Sequence, residues 1–144
     1  MAAALLDASL VVMLGVVTVS DLRTRLVPDG PLVICLVLAV GICGVLAPDE
    51  LPERLVAGAG AAGFLLAAAL VRPDGMGLGD VKLAGVLGVY LGAAVLGAMI
   101  VAFAAGSAVG LALIARHGWA ARGRTIAFAP CLTLGALVAM AFTR

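Results

Sequence analysis

The chain has 144 residues, of which 65% are hydrophobic, 12% are charged and 4% are aromatic, and its formal net charge is +1. Soluble domains carry roughly 45–50% apolar and about 25% charged residues, so this chain has too little polar surface to cover a water-facing globule. The composition excludes a soluble enzyme and a disordered protein, and the lack of a basic patch excludes a nucleic-acid binder. A small polytopic membrane protein is predicted.

Apolar runs in chain order predict an all-α bundle of six transmembrane helices. A spanning helix needs about 20 mostly apolar residues. Residues 81–115 would form a helix about 50 Å long, well above a hydrocarbon core of about 30 Å, so we expect two helices that turn near Gly92. The other runs are residues 2–20, 31–47, 55–71 and 126–142. No repeat or linker divides them, which predicts a single membrane-embedded domain over residues 1–144.

Basic residues predict the orientation of the bundle. Seven of the nine fall in the odd-numbered connections of the six-span pattern, which places those connections in the cytoplasm and both termini outside. These seven are Arg23, Arg25, Arg72, Lys82, Arg116, Arg122 and Arg124. The outer side holds Arg54 and Arg144, together with Asp49, Glu50 and Glu53, whose expected role is solvation.

Small residues indicate how the helices pack. Gly88 and Gly92, like Gly106 and Gly110, have the small-x-x-x-small spacing that lets helix backbones approach closely in lipid. Helix packing is the plain interpretation, and a smooth groove for a guest helix is the alternative. The three cysteines have no C-x-x-C spacing, so we expect packing residues and no metal site.

Two carboxylates stand out because each directly borders a predicted span. Asp21 ends the first span and Asp80 opens the fourth, so the parity of the spans places both on one membrane face. Two adjacent carboxylates tend to share a proton, and such a pair can activate water by acid–base chemistry. Charges that merely mark helix ends are the alternative from the residues alone.

The dipole at the start of a helix favours an anionic Asp80, so we expect Asp80 to act as the base and Asp21 as the acid, although a coupled pair titrates as a unit. The alternating glycines Gly75, Gly77 and Gly79 are expected to permit positive φ and the approach of an extended substrate. Asp29, which precedes Gly30 and Pro31, is typical of a helix N-cap.

Three segments resemble the type IV prepilin peptidases, a family of membrane aspartic peptidases. The segment Gly-Met-Gly-Leu-Gly-Asp-Val-Lys-Leu, residues 75–83, is similar to the family's G-x-G-D-x-K-L signature. Residues 21–29 resemble the family's first aspartate segment, with its following aliphatic-Pro pair, and residues 126–132 resemble the stretch that opens its sixth helix. The segments follow the family's order along nearly the whole chain.

The resemblance implies that Asp21 and Asp80 are the catalytic pair and that no cofactor is needed. It implies cleavage of the basic leader of prepilins or pseudopilins at the cytoplasmic face of the bacterial inner membrane. Further motif residues are candidates for positioning the substrate: Gly77, Gly79, Lys82, Arg23, Thr24, Pro28 and Pro130. A chain that starts at the first span without C-x-x-C motifs is similar to the short peptidase-only enzymes of tight-adherence pili, in which N-methylation is not expected.

Purely structural roles are alternatives for several of these motif residues. Lys82 lies about 200° around the helix from Asp80, so we expect it to reach the interface instead of that carboxylate. Arg23 and Thr24 either orient Asp21 or anchor the chain at the headgroups. Pro130 is expected to break the chain ahead of the last span.

Two other function classes stay open. An intramembrane protease of the presenilin or signal-peptide-peptidase kind also uses a G-x-G-D aspartate, but its second aspartate normally lies in mid-helix after a Tyr, whereas Asp21 follows Ser20 at a helix end. A small transporter or assembly subunit, with carboxylates that bind cations, leaves the ordered motifs unexplained.

Overall fold

The computed structural model describes residues 2–24, 29–71, 77–117 and 128–142. These residues form helices joined by short connections and contain no strand, which confirms the all-helical prediction. The α-helices and two short 3₁₀ turns are, in chain order, α1 Ala2–Thr24, α2 Asp29–Leu46, the turn Pro48–Glu50, α3 Leu51–Val71, α4 Leu78–Leu91, the turn Gly92–Ala94, α5 Val95–His117 and α6 Ala129–Phe142.

Four helical stretches of the described residues are long and apolar enough to cross a membrane. They are Ala4–Arg23, Asp29–Leu46, Pro48–Val71 and Leu78–Arg116, and Ala129–Phe142 is a shorter apolar helix. The predicted count of six spans is therefore not confirmed. The reason is length, because α4 and α6 have 14 residues each and reach only about 21 Å.

The 39-residue stretch Leu78–Arg116 is interrupted at Gly92, where the sequence predicts a turn. Gly92 ends α4 with φ 56°, a left-handed conformation that favours glycine, and its N–H donates to the carbonyl of Gly88. Contacts with α3 show that the chain also reverses here. Arg54, early in α3, reaches the end of α4, whereas Phe64, later in α3, contacts Phe103 of α5 at a centroid distance of 6.0 Å.

Helix α4 is the centre of the bundle. It packs against α1, α2, α3 and α6, and nine of its 14 residues are buried. Because protein surrounds α4 on most sides, its apolar residues do not concentrate on one face. The outer helices carry exposed apolar side chains such as Val12 and Val56, as expected for surfaces that face lipid.

Glycines allow α3 and α4 to pack backbone against backbone. A Cβ on Gly88 would lie 2.5 Å from the Cα of Gly58, and a Cβ on Gly58 would lie 2.7 Å from the carbonyl oxygen of Gly85. This close approach agrees with the interpretation of the small-residue spacing as helix packing.

Arg54 fixes the end of α4 that lies away from Asp80. Its guanidinium donates to the carbonyls of Val89 and Tyr90 at the C-terminus of α4, where a cation is favourable. It also forms an ion pair with Glu50 at 2.8 Å, so Glu50 has a structural contact in addition to the expected solvation.

We expect the Gly58→Ala variant to lose about 1–3 kcal/mol of stability, because its methyl group would overlap the backbone of α4. Gly63→Ala on the same helix is the matched control, since its Cβ would meet no atom within 4 Å. Thermal unfolding in detergent micelles measures both variants. Equal midpoints would contradict the close packing of α3 on α4.

Candidate active site

Asp21 and Asp80 are the buried charged residues among those whose exposure the structure describes. Their exposed fractions are 5% and 9%, respectively. Asp21 lies in the last turn of α1 and Asp80 in the first turn of α4, and the two carboxylates are close enough to interact electrostatically. The structure therefore brings together, at one end of the bundle, two acids that are far apart in the sequence.

The start of α4 fixes the position of Asp80. Gly77 precedes the helix in an extended conformation, and its carbonyl accepts a hydrogen bond of 3.1 Å from the amide of Asp80. The backbone of Gly77 also lies near enough to the Asp80 carboxylate to interact with it electrostatically. A Cβ on Gly77 would lie 3.8 Å from Oδ2 of Asp80, so the absence of a side chain leaves this edge of the carboxylate open.

The expectation of positive φ at the motif glycines is wrong for Gly77, whose φ is −78°. Gly79 already lies within α4, and Gly92 is the glycine with positive φ in the described part of the chain. The physical reason is that the segment passes directly from extended to helical backbone, which needs no left-handed residue. Gly75 lies outside the described residues.

Helix α6 is the third helix that borders the two acids, after α1 and α4. Its first turn places the thiol of Cys131 near enough to Asp80 for an electrostatic interaction. Pro130 stands in the first turn, where a missing N–H costs little, and the amides of Cys131 and Leu132 donate to the carbonyl of Phe128. The structure thus agrees with the prediction that Pro130 lies where the last helix begins.

A hydroxyl bridge joins α1 to α6 one turn from Asp21. Oγ1 of Thr133 donates to the carbonyl of Ala129 at 3.0 Å, so Thr18 is the donor in the 2.9 Å contact between the two threonine hydroxyls. Thr18 precedes Asp21 by three residues and lies on the same helix face. The bridge therefore fixes the rotation of α1 relative to α6.

Lys82, Asp29 and Arg23 lie at the same end of the bundle but in different settings. The ammonium of Lys82 is 2.7 Å from Oδ1 of Asp29, in an exposed ion pair, which agrees with the expectation that it does not pair with Asp80. Asp29 is the first residue of α2, within the helix and not ahead of it, and its carboxylate binds Lys82. Arg23 is exposed in the last turn of α1. The side chain of Thr24, and Pro28, lie outside the described residues.

Three residues of this region are not indicated as site residues by the sequence. Its pattern predicts Cys131 as a packing residue only and does not predict the Thr18–Thr133 bridge. The sequence indicates these two threonines only by their position, since Thr18 lies one turn before Asp21 and Thr133 lies two residues after Cys131. A single sequence does not show which helices are neighbours, so their contact required the structure. Within the described residues, no group of three or more His, Cys, Asp or Glu could hold a metal ion.

The fold and site define a class of protein, namely a multi-pass helical membrane protein with two interacting carboxylates buried at one end of its bundle. A model of the type IV leader peptidase family matches residues 8–115, and the chain belongs to this family. The match includes Asp21 and Asp80 but ends before α6, so it does not cover the third motif. No curated protein and no solved structure matches the chain.

A double-mutant cycle tests the hydroxyl bridge. Removing both hydroxyls with Thr18→Val and Thr133→Val should cost less than the sum of the single changes, by about 0.6 kcal/mol and at most about 1.7 kcal/mol, which is typical of hydrogen bonds between helices in membranes. Thr133→Ser keeps the hydroxyl and serves as the control. Strictly additive effects on unfolding would show that the two side chains do not interact.

Proposed function

We propose that this protein is an aspartic peptidase that removes the leader of prepilins or pseudopilins, using Asp21 and Asp80 to activate water. The observation that carries the proposal is the pair of buried, interacting carboxylates, both within the segment that matches a leader peptidase family. The residues of this one bundle would carry the whole reaction, which requires no cofactor.

The proposed acid–base chemistry follows from the burial of two neighbouring carboxyl groups among apolar side chains. Mutual repulsion and burial favour a state with one shared proton. The ionised member takes a proton from water, whose oxygen attacks the scissile carbonyl carbon, while the other member donates its proton to the carbonyl oxygen. Collapse of the resulting diol breaks the C–N bond, and a proton passes to the leaving amine. The products are a free leader and a helix with a new amino terminus.

The orientation of the bundle supports cleavage on the cytoplasmic side. The Asp21–Asp80 end is where α1, α3 and α5 end and where α2, α4 and α6 begin, and Arg23, Lys82 and Arg116 lie there. An excess of basic residues marks the cytoplasmic side of a membrane protein. We therefore propose six crossings, with the short α4 and α6 embedded among longer helices and both termini outside the cytoplasm of a bacterial inner membrane.

The position of the acids along their helices distinguishes this proposal from cleavage in mid-membrane. Both carboxylates lie within one turn of a helix end, not at the centre of a span. Water and an extended substrate segment reach this level without crossing the apolar interior. The geometry thus favours a cut beside the membrane, at the junction between a leader and its apolar helix.

Replacing either acid by its amide should abolish processing. Asp21→Asn and Asp80→Asn each remove one proton-transfer group, and we expect cleavage to fall by about 10²–10⁴-fold. Co-expression with a prepilin, followed by gel analysis of the shortened product, measures the effect. Asp49→Asn is the control because Asp49 is exposed in the distant turn Pro48–Glu50. Full processing by either site variant would overturn the assignment of the pair.

The new amino terminus of the product reports the depth of the cut. We expect intact-mass analysis to place cleavage at the boundary between the basic leader and the apolar helix. A cut several residues inside the apolar segment would contradict the proposed site and favour an intramembrane protease.

A further inference from the structure

A cleft runs along the side of α4 that faces α2 and α3. Helices α2 and α3 both pack on α4 but barely touch each other, which leaves a space of about 520 Å³ between them. Its floor is Val81, Gly85, Val86 and Val89 of α4, and side chains such as Val33 of α2 and Ala59 of α3 form the walls. The cleft extends from Val81 to Val89 of α4, a rise of about 12 Å.

The two ends of the cleft differ. The turn Pro48–Glu50 joins α2 to α3 beyond the end of the cleft that lies away from Asp80, where the lining residues are apolar. At the end near Asp80, the lining includes the exposed Asp29–Lys82 ion pair. A molecule in the cleft therefore has apolar contacts along most of its length and meets charged groups only near the catalytic end.

We propose that this cleft holds the apolar helix of the prepilin substrate, an inference that rests on the function proposed above. An apolar helix fits the apolar walls, and the small residues Ala59, Ala62 and Gly85 let its backbone approach closely. The basic leader that precedes the helix leaves the cleft at the end near Asp80, where a cationic side chain can replace Lys82 as the partner of the exposed Asp29 carboxylate.

The geometry also fixes how the cut site reaches the acids. Val81 lines the cleft, but Asp80 faces Asp21 and Cys131, so cleft and acids lie on different sides of α4. The direct path from the cleft to the acids passes the start of α4, where Gly77 and Leu78 are exposed. A helix is about 10 Å wide and an extended chain rises about 3.3 Å per residue, so about three extended residues connect the docked helix to the scissile bond.

A second cleft of about 610 Å³ lies between α3 and α5 and does not meet these requirements. Its lining, which includes Phe64, Leu96 and Ile100, is apolar throughout. It contains no charged residue, and none of its residues adjoins Asp21 or Asp80 in the sequence. A helix docked there would not deliver its leader to the acids.

Filling the first cleft should slow cleavage without unfolding the protein. We expect Ala59→Phe, which projects a ring between the walls, to reduce prepilin processing at least tenfold. Ala67→Phe is the matched control, since Ala67 is exposed on the same helix but lines neither cleft. Processing by Ala59→Phe at the rate of the control would contradict the inference.

Photo-cross-linking locates the substrate directly. It remains informative even if the bulky Ala59→Phe variant does not fold. A photoreactive phenylalanine replaces Val33, a wall residue that is 58% exposed, in the Asp80→Asn background, with a co-expressed prepilin as the probe. Its neighbour Ile34, 61% exposed and outside the cleft lining, is the control position. We expect an adduct with the prepilin at position 33 and not at position 34.

The other outcomes overturn the inference in distinguishable ways. An adduct at Ile100 but not at position 33 would place the substrate in the second cleft, and an adduct with another copy of the chain at position 33 would make the first cleft a self-interface. Failure of the unmodified protein to cleave the prepilin would refute the proposed function itself. Normal cleavage with no adduct at position 33 would refute the docking of the substrate in the first cleft but not the proposed peptidase function.

Discussion

The structure depends on keeping two carboxyl groups out of water inside an apolar bundle. Burial of a charge is costly, and two acids that face each other add mutual repulsion. Asp21 and Asp80 are nevertheless buried where α1, α4 and α6 meet. The energetic cost of this burial indicates a functional role for the two acids, since acids that only marked helix ends would be more stable in water. In the mechanism proposed above, a shared proton relieves the repulsion and leaves one member able to accept a proton from water.

The packing of the bundle explains how such a site is held. Helix α4 is enclosed by its neighbours, and the approach of Gly88 to Gly58 leaves no room for it to slide along α3. The Thr18–Thr133 bridge links α1 to α6 beside the acids, and Arg54 holds the far end of α4. Each acid is therefore carried by a helix whose position is fixed at more than one level. The cleft proposed for the substrate lies on another side of α4, between α2 and α3.

Much of the fold was predictable from the sequence because apolar run length and residue type carry that information. The helices, the turn at Gly92 and the shared end of the two acids follow from run length and parity. The membrane-span count did not follow, since a 14-residue helix enclosed by others need not have the length of an independent span. The conformation of Gly77 also differed, because an extended entry into α4 needs no positive φ. The contacts of Cys131 and the Thr18–Thr133 bridge depend on which helices are neighbours, which one sequence does not specify.

The most direct test of the account is whether positions 21 and 80 lie side by side in the membrane. In a variant with Cys35, Cys43 and Cys131 replaced by Ala, the pair Asp21→Cys and Asp80→Cys should be joined by a short thiol cross-linker. Position 7 lies about 21 Å further along α1, so Asp7→Cys with Asp80→Cys should not be joined. Efficient linkage of the first pair alone is the predicted result. No linkage of that pair, or equal linkage of both, would contradict the convergence of the two acids.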